Sequence, residues 1–310
     1  MCEDLVSVVV VTYNSSSFVR ETLESIYNQD YHSLEVIVSD DASTDNTIDI
    51  VTNWLEQHSD RFVNWDVVKT PVNTGIPANC NRGIRATKGK WIKMIAGDDL
   101  LVSNCVSKCV SYISNNRDCN ILFSNIKRFK VVNGEKCFFT LPAIIDNEIF
   151  IDNFCKSESK EQFIILLKVG CFLPAPSVFF RAEFIKSHPY IEKYKYEDDY
   201  PLWVNITKEG FKIDYIPEYL VEYRNDFSLS FRKTDYYSRP YMKTRSDFFW
   251  GECYDYFKSF HLEEAHNNYR KMLLKYELTE AFLHNKRSKF NSIIVRLLDR
   301  FVDVFAKYEF

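Results

Sequence analysis

The sequence predicts an α/β fold of the Rossmann-like type, a mostly parallel sheet flanked by helices, followed by a C-terminal helical extension. Three observations predict it. Runs of β-branched residues alternate with helical periodicities through the first hundred residues. Polar, cap-rich loops directly follow the first two of those runs. From about Tyr236 onward the strand signals stop and long helical patterns take over.

The elements follow in order. Residues 6–11, Val-Ser-Val-Val-Val-Val, read as a fully buried parallel strand because they hardly alternate. Thr12-Tyr13-Asn14-Ser15-Ser16-Ser17 is a loop ending in helix N-caps, and Val19, Leu23, Ile26 and Tyr27 then take helical spacing. A second strand over 34–39 stops at Asp40-Asp41-Ala42-Ser43-Thr44-Asp45. Ile48, Val51 and Leu55 mark a second helix, and a third strand covers 63–68. That succession implies right-handed βαβ crossovers and a parallel sheet. Ligands of such sheets bind beyond the carboxyl ends of the strands, where both loops fall.

Further on, Asn73-Thr74-Gly75-Ile76-Pro77 reads as a turn and 79–86 as a helix. Residues 91–96 read as a strand that stops at Gly97-Asp98-Asp99-Leu100. A helix over 104–113, a strand over 120–124 and a hairpin turning at Gly134 come next. Residues 150–168 read as helix and loop, and 178–180 as a short strand. A helix over 202–209 is closed by Gly210, and a strand covers 215–224. These readings divide the chain into an α/β domain over 1–235, with halves of about 1–125 and 126–235, and a helical region over 236–310.

Composition narrows the function. With 310 residues, 46% of them hydrophobic, the chain can bury a large core. A net charge of −4 gives no basic face for nucleic acid, so no nucleic-acid partner is expected. The nine cysteines form no CxxC pair and no zinc-spaced His/Cys cluster, and read as reduced packing thiols in a reducing compartment. Glu3 and Asp4 stand where a secretory signal carries basic residues, and the apolar run 6–11 is too short to span a bilayer. A cytoplasmic protein is expected, soluble or peripheral at the inner face of the membrane.

Three acidic clusters carry the candidate chemistry. Asp98 and Asp99 are adjacent carboxylates at a strand end, which repel each other unless a cation is near. A hard divalent ion, Mn2+ or Mg2+, suits such oxygens and can hold a diphosphate. The plain alternative is a solvated, capping turn. Asp40 and Asp41 end the second strand, where an acid can accept from a ribose or base or simply cap the next helix. Glu197-Asp198-Asp199 precedes Tyr200-Pro201-Leu202-Trp203; it is either a surface N-cap run or holds a general base for a hydroxyl. Tyr13 can stack on a base or be an ordinary half-buried aromatic. Arg82 and Lys93 are candidates for phosphate or plain surface charges.

Taken as an ordered set, these stretches resemble the family 2 glycosyltransferases with the GT-A fold. The match runs through Ser7-Val8-Val9-Val10-Val11-Thr12-Tyr13-Asn14, then Val36-Ile37-Val38-Ser39-Asp40-Asp41-Ala42-Ser43-Thr44-Asp45. It continues through Asn73-Thr74-Gly75, Gly89-Lys90-Trp91-Ile92, Gly97-Asp98-Asp99, the Glu197–Trp203 stretch and Glu222-Tyr223-Arg224, over roughly residues 5 to 232. The resemblance implies an inverting transferase that moves one sugar from a UDP-sugar to an acceptor hydroxyl in a single in-line displacement, forming a β-linkage from an α-linked donor. It implies nucleotide-sugar contacts from Thr12, Tyr13, Asn14, Asp41, Arg82 and Asp98. Metal ligation falls to Asp99 before Asp98. Asp199 is implied as the base, ahead of Asp198 and Glu197.

The pattern departs in two places. The family often carries a His shortly after the Tyr-Arg pair, sometimes a further metal ligand; here either Asp226 substitutes for it or the ligand is missing. No Gln-x-x-Arg-Trp motif and no membrane spans follow, so single-sugar addition is expected rather than polymerisation. Residues 284–310 hold six basic and three acidic residues on an amphipathic pattern with an apolar stripe, Phe290, Ile293, Ile294, Leu297, Leu298, Phe301 and Phe305. That helix either rests on an anionic membrane, near a lipid-linked acceptor, or packs on the domain or on a second copy as a homodimer. The aromatic, Lys/Asn-rich texture suggests bacterial surface-polysaccharide (O-antigen or capsule) synthesis. Two other readings compete. A sugar-nucleotide pyrophosphorylase would need a Gly-rich loop after the first strand, which 12–17 lacks. A non-catalytic nucleotide-sugar-binding protein on a degenerate fold would have little use for all three acidic clusters.

Overall fold

In the computed structural model the described residues are 3–140, 147–225, 235, 237–286 and 288–305. The predicted alternation is present: β1 (Val6–Thr12), α1 (Val19–Tyr27), β2 (Leu34–Asp40), α2 (Thr47–Gln57), β3 (Asn64–Lys69), α3 (Ile76–Ala86) and β4 (Trp91–Ala96). Then come β5 (Leu100–Leu101), α4 (Cys105–Asn115), β6 (Ile121–Val132), β7 (Glu135–Phe139), α5 (Glu148–Lys156) and α6 (Ser159–Val169). β8 (Phe179–Arg181), α7 (Ala182–Ser187), α8 (Asp199–Lys208) and β9 (Asp214–Arg224) follow. The C-terminal stretch is helical, as expected: α9 (Arg239–Phe248), a π-helical turn at Phe249–Cys253, α10 (Tyr254–Ser259), α11 (Glu263–Leu283) and α12 (Lys289–Phe305).

The strand order is β3-β2-β1-β4-β8-β6-β9-β5, with β7 paired to β6. Strands β3, β2, β1 and β4 are parallel; β8 joins antiparallel to both β4 and β6, and β6 and β9 run parallel. The register sets Thr12 beside Asp40 and Val11 beside Ala96. The loops after β1, β2 and β4 therefore leave the sheet along one rim, at the point where the strand order reverses.

Valine-rich strands suit a sheet covered on both faces. Val6, Val8, Val10, Val36 and Val38 pack on one side with Leu23, Ile26, Trp54 and Leu55, all fully buried. Two charges lie inside this apolar sheet. Glu35 on β2 is fully buried and accepts from Ser7 Oγ (2.5 Å), Asn64 Nδ2 (3.0 Å) and Lys88 N (2.8 Å), joining β1, β2, β3 and the turn before β4. Lys93 on β4 is also fully buried, and its Nζ donates to the carbonyls of Pro176 (2.6 Å) and Val178 (3.3 Å). Both are saturated with hydrogen bonds, as burial of a charge requires.

Three elements differ from expectation. β6 is one strand where two segments with a break are expected; the break falls at Lys127 and Arg128, whose cations lie over the rings of Tyr219 (5.3 Å) and Tyr223 (5.0 Å). Helix α3 starts at Ile76, not residue 79: Gly75 takes φ +96° and Pro77 fits the first turn. Helix α8 starts at Asp199, not residue 202, so the acidic cluster enters the helix's first turn. No described helix is long and apolar enough to cross a membrane.

The chain forms two compact units, Met1–Phe163 with Cys171–Asp226, and Ile164–Gly170 with Phe227–Phe310. Within the first, Gly89 lets β4 begin directly against β1. A Cβ there would stand 2.5 Å from Ser7 Oγ, 2.7 Å from Ser7 N and 2.9 Å from the Leu5 carbonyl. Gly89→Ala should therefore cost about 2 kcal/mol and lower the Tm by roughly 4–8 °C, measured by thermal unfolding with Ser7→Ala as the partly relieving second substitution.

Candidate active site

The loops after β1 and β2 are laced together. Asn14, at φ +53°, gives its N–H to Ser43 Oγ (2.8 Å), and its Oδ1 accepts from Thr44 N (2.8 Å). Ser15 N donates to Thr47 Oγ1 (2.8 Å) and Ser16 N to Asp45 Oδ2 (3.1 Å). Buried Thr12 donates to Asp40 Oδ2 (2.8 Å), and its carbonyl accepts from Asp41 N (3.0 Å) and Asn79 Nδ2 (3.1 Å). Short polar side chains thus satisfy the loop backbone. The ring of Tyr13 is left 43% exposed at the rim.

Asp41 is buried and fully engaged. It accepts from Thr74 N (3.0 Å), Thr74 Oγ1 (2.6 Å) and Gly75 N (2.8 Å), and pairs with Arg82 Nη2 at 3.3 Å. Arg82 also donates to Thr74 Oγ1 (2.7 Å), Asn79 Oδ1 (2.7 Å) and the Asp40 carbonyl (3.2 Å). Both side chains are spent in holding the turn at 73–75. The far side of that turn meets the third acidic cluster: Lys195 O accepts from Ile76 N (3.2 Å), and Lys195 Nζ reaches the Asn73 carbonyl (3.0 Å).

At the end of β4, Asp99 is 1% exposed. Its Oδ1 accepts from Arg224 N (2.8 Å), while Oδ2 is buried without a hydrogen-bond donor among the described residues. The Arg224 guanidinium, also buried, donates through Nε to the Asp98 carbonyl (2.9 Å) and pairs with Glu21 through Nη2 (2.7 Å). It lies over the rings of Phe18 (4.6 Å) and Phe129 (4.7 Å). Burial, then the charge of Asp98, pushes Asp99 well above the ordinary carboxylate range; Arg224 opposes this without overcoming it. Burial also raises Asp98.

The third cluster opens α8. Glu197 is buried and Asp198 and Asp199 are half-buried. Asp199 Oδ1 accepts from Tyr200 N (2.7 Å) and Oδ2 from the Cys171 thiol (3.3 Å). Burial, and then the charge of Asp199, pushes Asp198 up to about 8.

Two neutral side chains report how near these clusters lie. The Cys80 thiol on α3 is pushed up by burial, then by the charges of Asp198, Asp199 and Asp41. The Tyr223 hydroxyl on β9 is pushed up by burial, then by Asp99 and Asp98, with Asp199 adding to it. Asp199 acts on both, within reach of Asp41 at Cys80 and of Asp98 and Asp99 at Tyr223. Lys93 is sealed in the sheet, and only its charge reaches Asp99, where it opposes the rise of that carboxyl. Asp226 lies outside the described residues. Among the described residues no three His, Cys, Asp or Glu side chains group as a metal site by themselves. The donors still fit a hard cation: an orphaned buried carboxylate oxygen on Asp99 with Asp98 beside it matches an ion that takes one or two carboxylates and completes its shell from phosphate and water. Spacing hardly signals Cys171 or the contacts of Lys195 with Asn73 and Ile76. Arg224 is visible only as part of Glu222-Tyr223-Arg224.

Solved structures share this architecture. Staphylococcus aureus TarS 1–349, in complex with UDP-GlcNAc, superposes with a TM-score of 0.56 at 18% identity, over 90% of this chain and 73% of that one. A mannosyltransferase from Pyrobaculum calidifontis, in complex with GDP-Man and Mn2+, gives 0.52 at 18% identity, over 79% and 61%. The chain spans 44% of the longer TarS structure. The fold class is the GT-A glycosyltransferase type. Residues 7–143 match the glycosyl transferase family 2. Among curated relatives, an uncharacterized glycosyltransferase of Methanocaldococcus jannaschii is 27% identical over 249 residues, 79% of this chain and 80% of the relative. Escherichia coli WfaP, a UDP-Glc:alpha-D-GlcNAc-diphosphoundecaprenol beta-1,3-glucosyltransferase, is 26% identical over 212 residues, 67% and 72%. A Campylobacter jejuni GalNAc(5)-diNAcBac-PP-undecaprenol beta-1,3-glucosyltransferase is 30% identical over 206 residues, 66% and 60%.

The Asp198 shift has a stability consequence. The folded chain holds a proton that the unfolded chain, with its carboxyl near 3.8, releases, so this group costs stability as pH rises from about 4 to about 8. Asp198→Asn should leave the Tm unchanged at pH 4 and raise it above wild type by a few degrees at pH 8.5; a variant less stable at both pH values would contradict the raised carboxyl.

Proposed function

We propose that this chain transfers one sugar from a UDP-sugar to a hydroxyl of a lipid-linked saccharide, with inversion at the anomeric carbon. The observation that supports the reading is that the Tyr223 hydroxyl feels the charges of Asp99, Asp98 and Asp199 together, as carboxylates serving one bound donor and its acceptor would require. Tyr13 offers its exposed ring to the uracil. Thr12, Asn14, Asp41 and Arg82 form the loop wall behind it, and Asp98 is left to face the nucleotide-sugar. Asp99, with Asp98, would hold a divalent ion, which when bound supplies the positive charge that the departing diphosphate needs. Asp199 takes the proton of the acceptor hydroxyl. That oxygen attacks the anomeric carbon, and the carbon–oxygen bond to the β-phosphate breaks with its electron pair leaving on UDP.

Both undecaprenol-linked relatives named above are beta-1,3-glucosyltransferases, and a β product from an α-linked donor is an inversion. They support the donor class, the stereochemistry and the lipid-linked acceptor. The test is UDP release from UDP-glucose, UDP-galactose, UDP-GlcNAc and UDP-GalNAc with Mn2+ and a GlcNAc-diphospholipid acceptor. Turnover should stop in excess chelator and fall by at least 10²-fold in Asp99→Ala. Asp199→Asn should bind UDP as wild type does while losing transfer. Full rates in chelator would remove the metal role, and full transfer by Asp199→Asn would remove the base.

A lipid-linked acceptor fits peripheral attachment at the inner face of the cell membrane. On α12, Ile293 and Leu297 stand one turn apart and are 61% and 58% exposed, with Arg296 exposed between them. Co-sedimentation with vesicles containing anionic lipid should fall at least fivefold in Ile293→Glu/Leu297→Glu. Equal sedimentation of the two proteins would end the membrane reading.

A further inference from the structure

We propose that Cys171 is a positioning residue for the transfer: its thiol orients the carboxylate of Asp199 toward the acceptor. This rests on the reading of Asp199 as the base. Asp199 sits in the first turn of α8, where the helix dipole favours an anion. Its Oδ1 accepts from Tyr200 N at 2.7 Å and its Oδ2 from the Cys171 thiol at 3.3 Å, so a donor on each oxygen holds the carboxylate plane. A base must meet its proton within hydrogen-bond reach and along a lone pair, and small displacements are costly.

The thiol is itself held on a rigid mount. Directly after it, Phe172 and Leu173 are buried, and Phe172 meets the rings of Phe150 and Phe154 edge-on at 5.1 and 4.9 Å. The turn that follows is pinned by Lys93 through the carbonyls of Pro176 and Val178. The buried lysine of β4 thereby steadies the segment that follows Cys171. Sulfur is a soft, weak donor, so it can orient the carboxylate without taking much of its basicity.

A hydrogen bond to the ionised form lowers a carboxyl's pKa, so removing the thiol should raise that of Asp199. The titratable groups that share its surroundings are Asp198 and Glu197 from its own segment, Cys80 on α3, Tyr190, and Tyr223 on β9. None of these is altered by a change at residue 171.

The experiment compares wild type, Cys171→Ala, Cys171→Ser and Asp199→Asn, following UDP release from UDP-glucose and UDP-GlcNAc with Mn2+ and the GlcNAc-diphospholipid acceptor. Cys171→Ala should lose roughly tenfold in kcat, keep its donor KM within about twofold, and shift the acid limb of the pH profile upward by roughly half a unit. Cys171→Ser, which keeps a donor, should recover most of the rate. N-ethylmaleimide should stop transfer by wild type and by Cys137→Ser, whose thiol is exposed elsewhere, yet spare Cys171→Ser, with UDP binding retained throughout. If Asp199→Asn is inactive while Cys171→Ala keeps the wild-type kcat and acid limb, the role of Cys171 is overturned and the base stands. If Asp199→Asn transfers at the wild-type rate, both fall together. Should Cys171→Ala fail to fold, the maleimide comparison between wild type and Cys171→Ser decides alone: equal inactivation overturns the proposal.

Discussion

The structure depends on how a buried arginine holds a pair of buried acids. Asp98 and Asp99 end β4 in a place poor in water, and two adjacent carboxylates cannot both stay charged there unaided. Arg224, at the end of β9, answers with its backbone N–H on Asp99, its Nε on the Asp98 carbonyl and its charge shared with Glu21. The rings of Phe18 and Phe129 fix the guanidinium between them. The compensation is partial, since Asp99 stays above the ordinary carboxylate range. The Asp99 oxygen that its partners leave unsatisfied is what the proposed divalent ion would meet.

The same economy of buried polar groups shapes the rest of the rim. Asp41 and Arg82 sit where an acid and a base in the sequence suggest direct nucleotide contact. The fold spends both on the turn at 73–75, and through Lys195 that turn braces the segment leading to Asp198 and Asp199. One exposed aromatic, Tyr13, is left at the mouth. Framework and contact residues share a motif but have different physical tasks. Inside the sheet, Glu35 and Lys93 do for strands and turns what Arg224 does for the acidic loop.

Much of this was legible beforehand, and the reason is periodicity. The near-continuous β-branched runs of β1 and β2 suit burial on both faces, so a parallel sheet and the rim at its strand ends follow from them. Element ends were less legible. Helix α8 begins three residues before the apolar pattern does, because Asp199 serves as a first-turn residue and Pro201 is tolerated there. β6 runs through Lys127 and Arg128, which look like a break until the tyrosines of β9 cover them. The contact between Cys171 and Asp199 joins residues 28 positions apart and has no local signature at all.

By itself the sequence determined the class of fold, the order of its elements and the three acidic loops, since hydrophobic period and strand-end chemistry are local properties of the chain. Tertiary structure alone decided which acids keep a free face and which are consumed in holding turns. It also decided that burial pushes the Asp198 carboxyl up, and that a lysine in mid-strand holds the carbonyls of Pro176 and Val178. Those outcomes depend on burial and on partners distant along the chain, and neither quantity is written in any short stretch of residues.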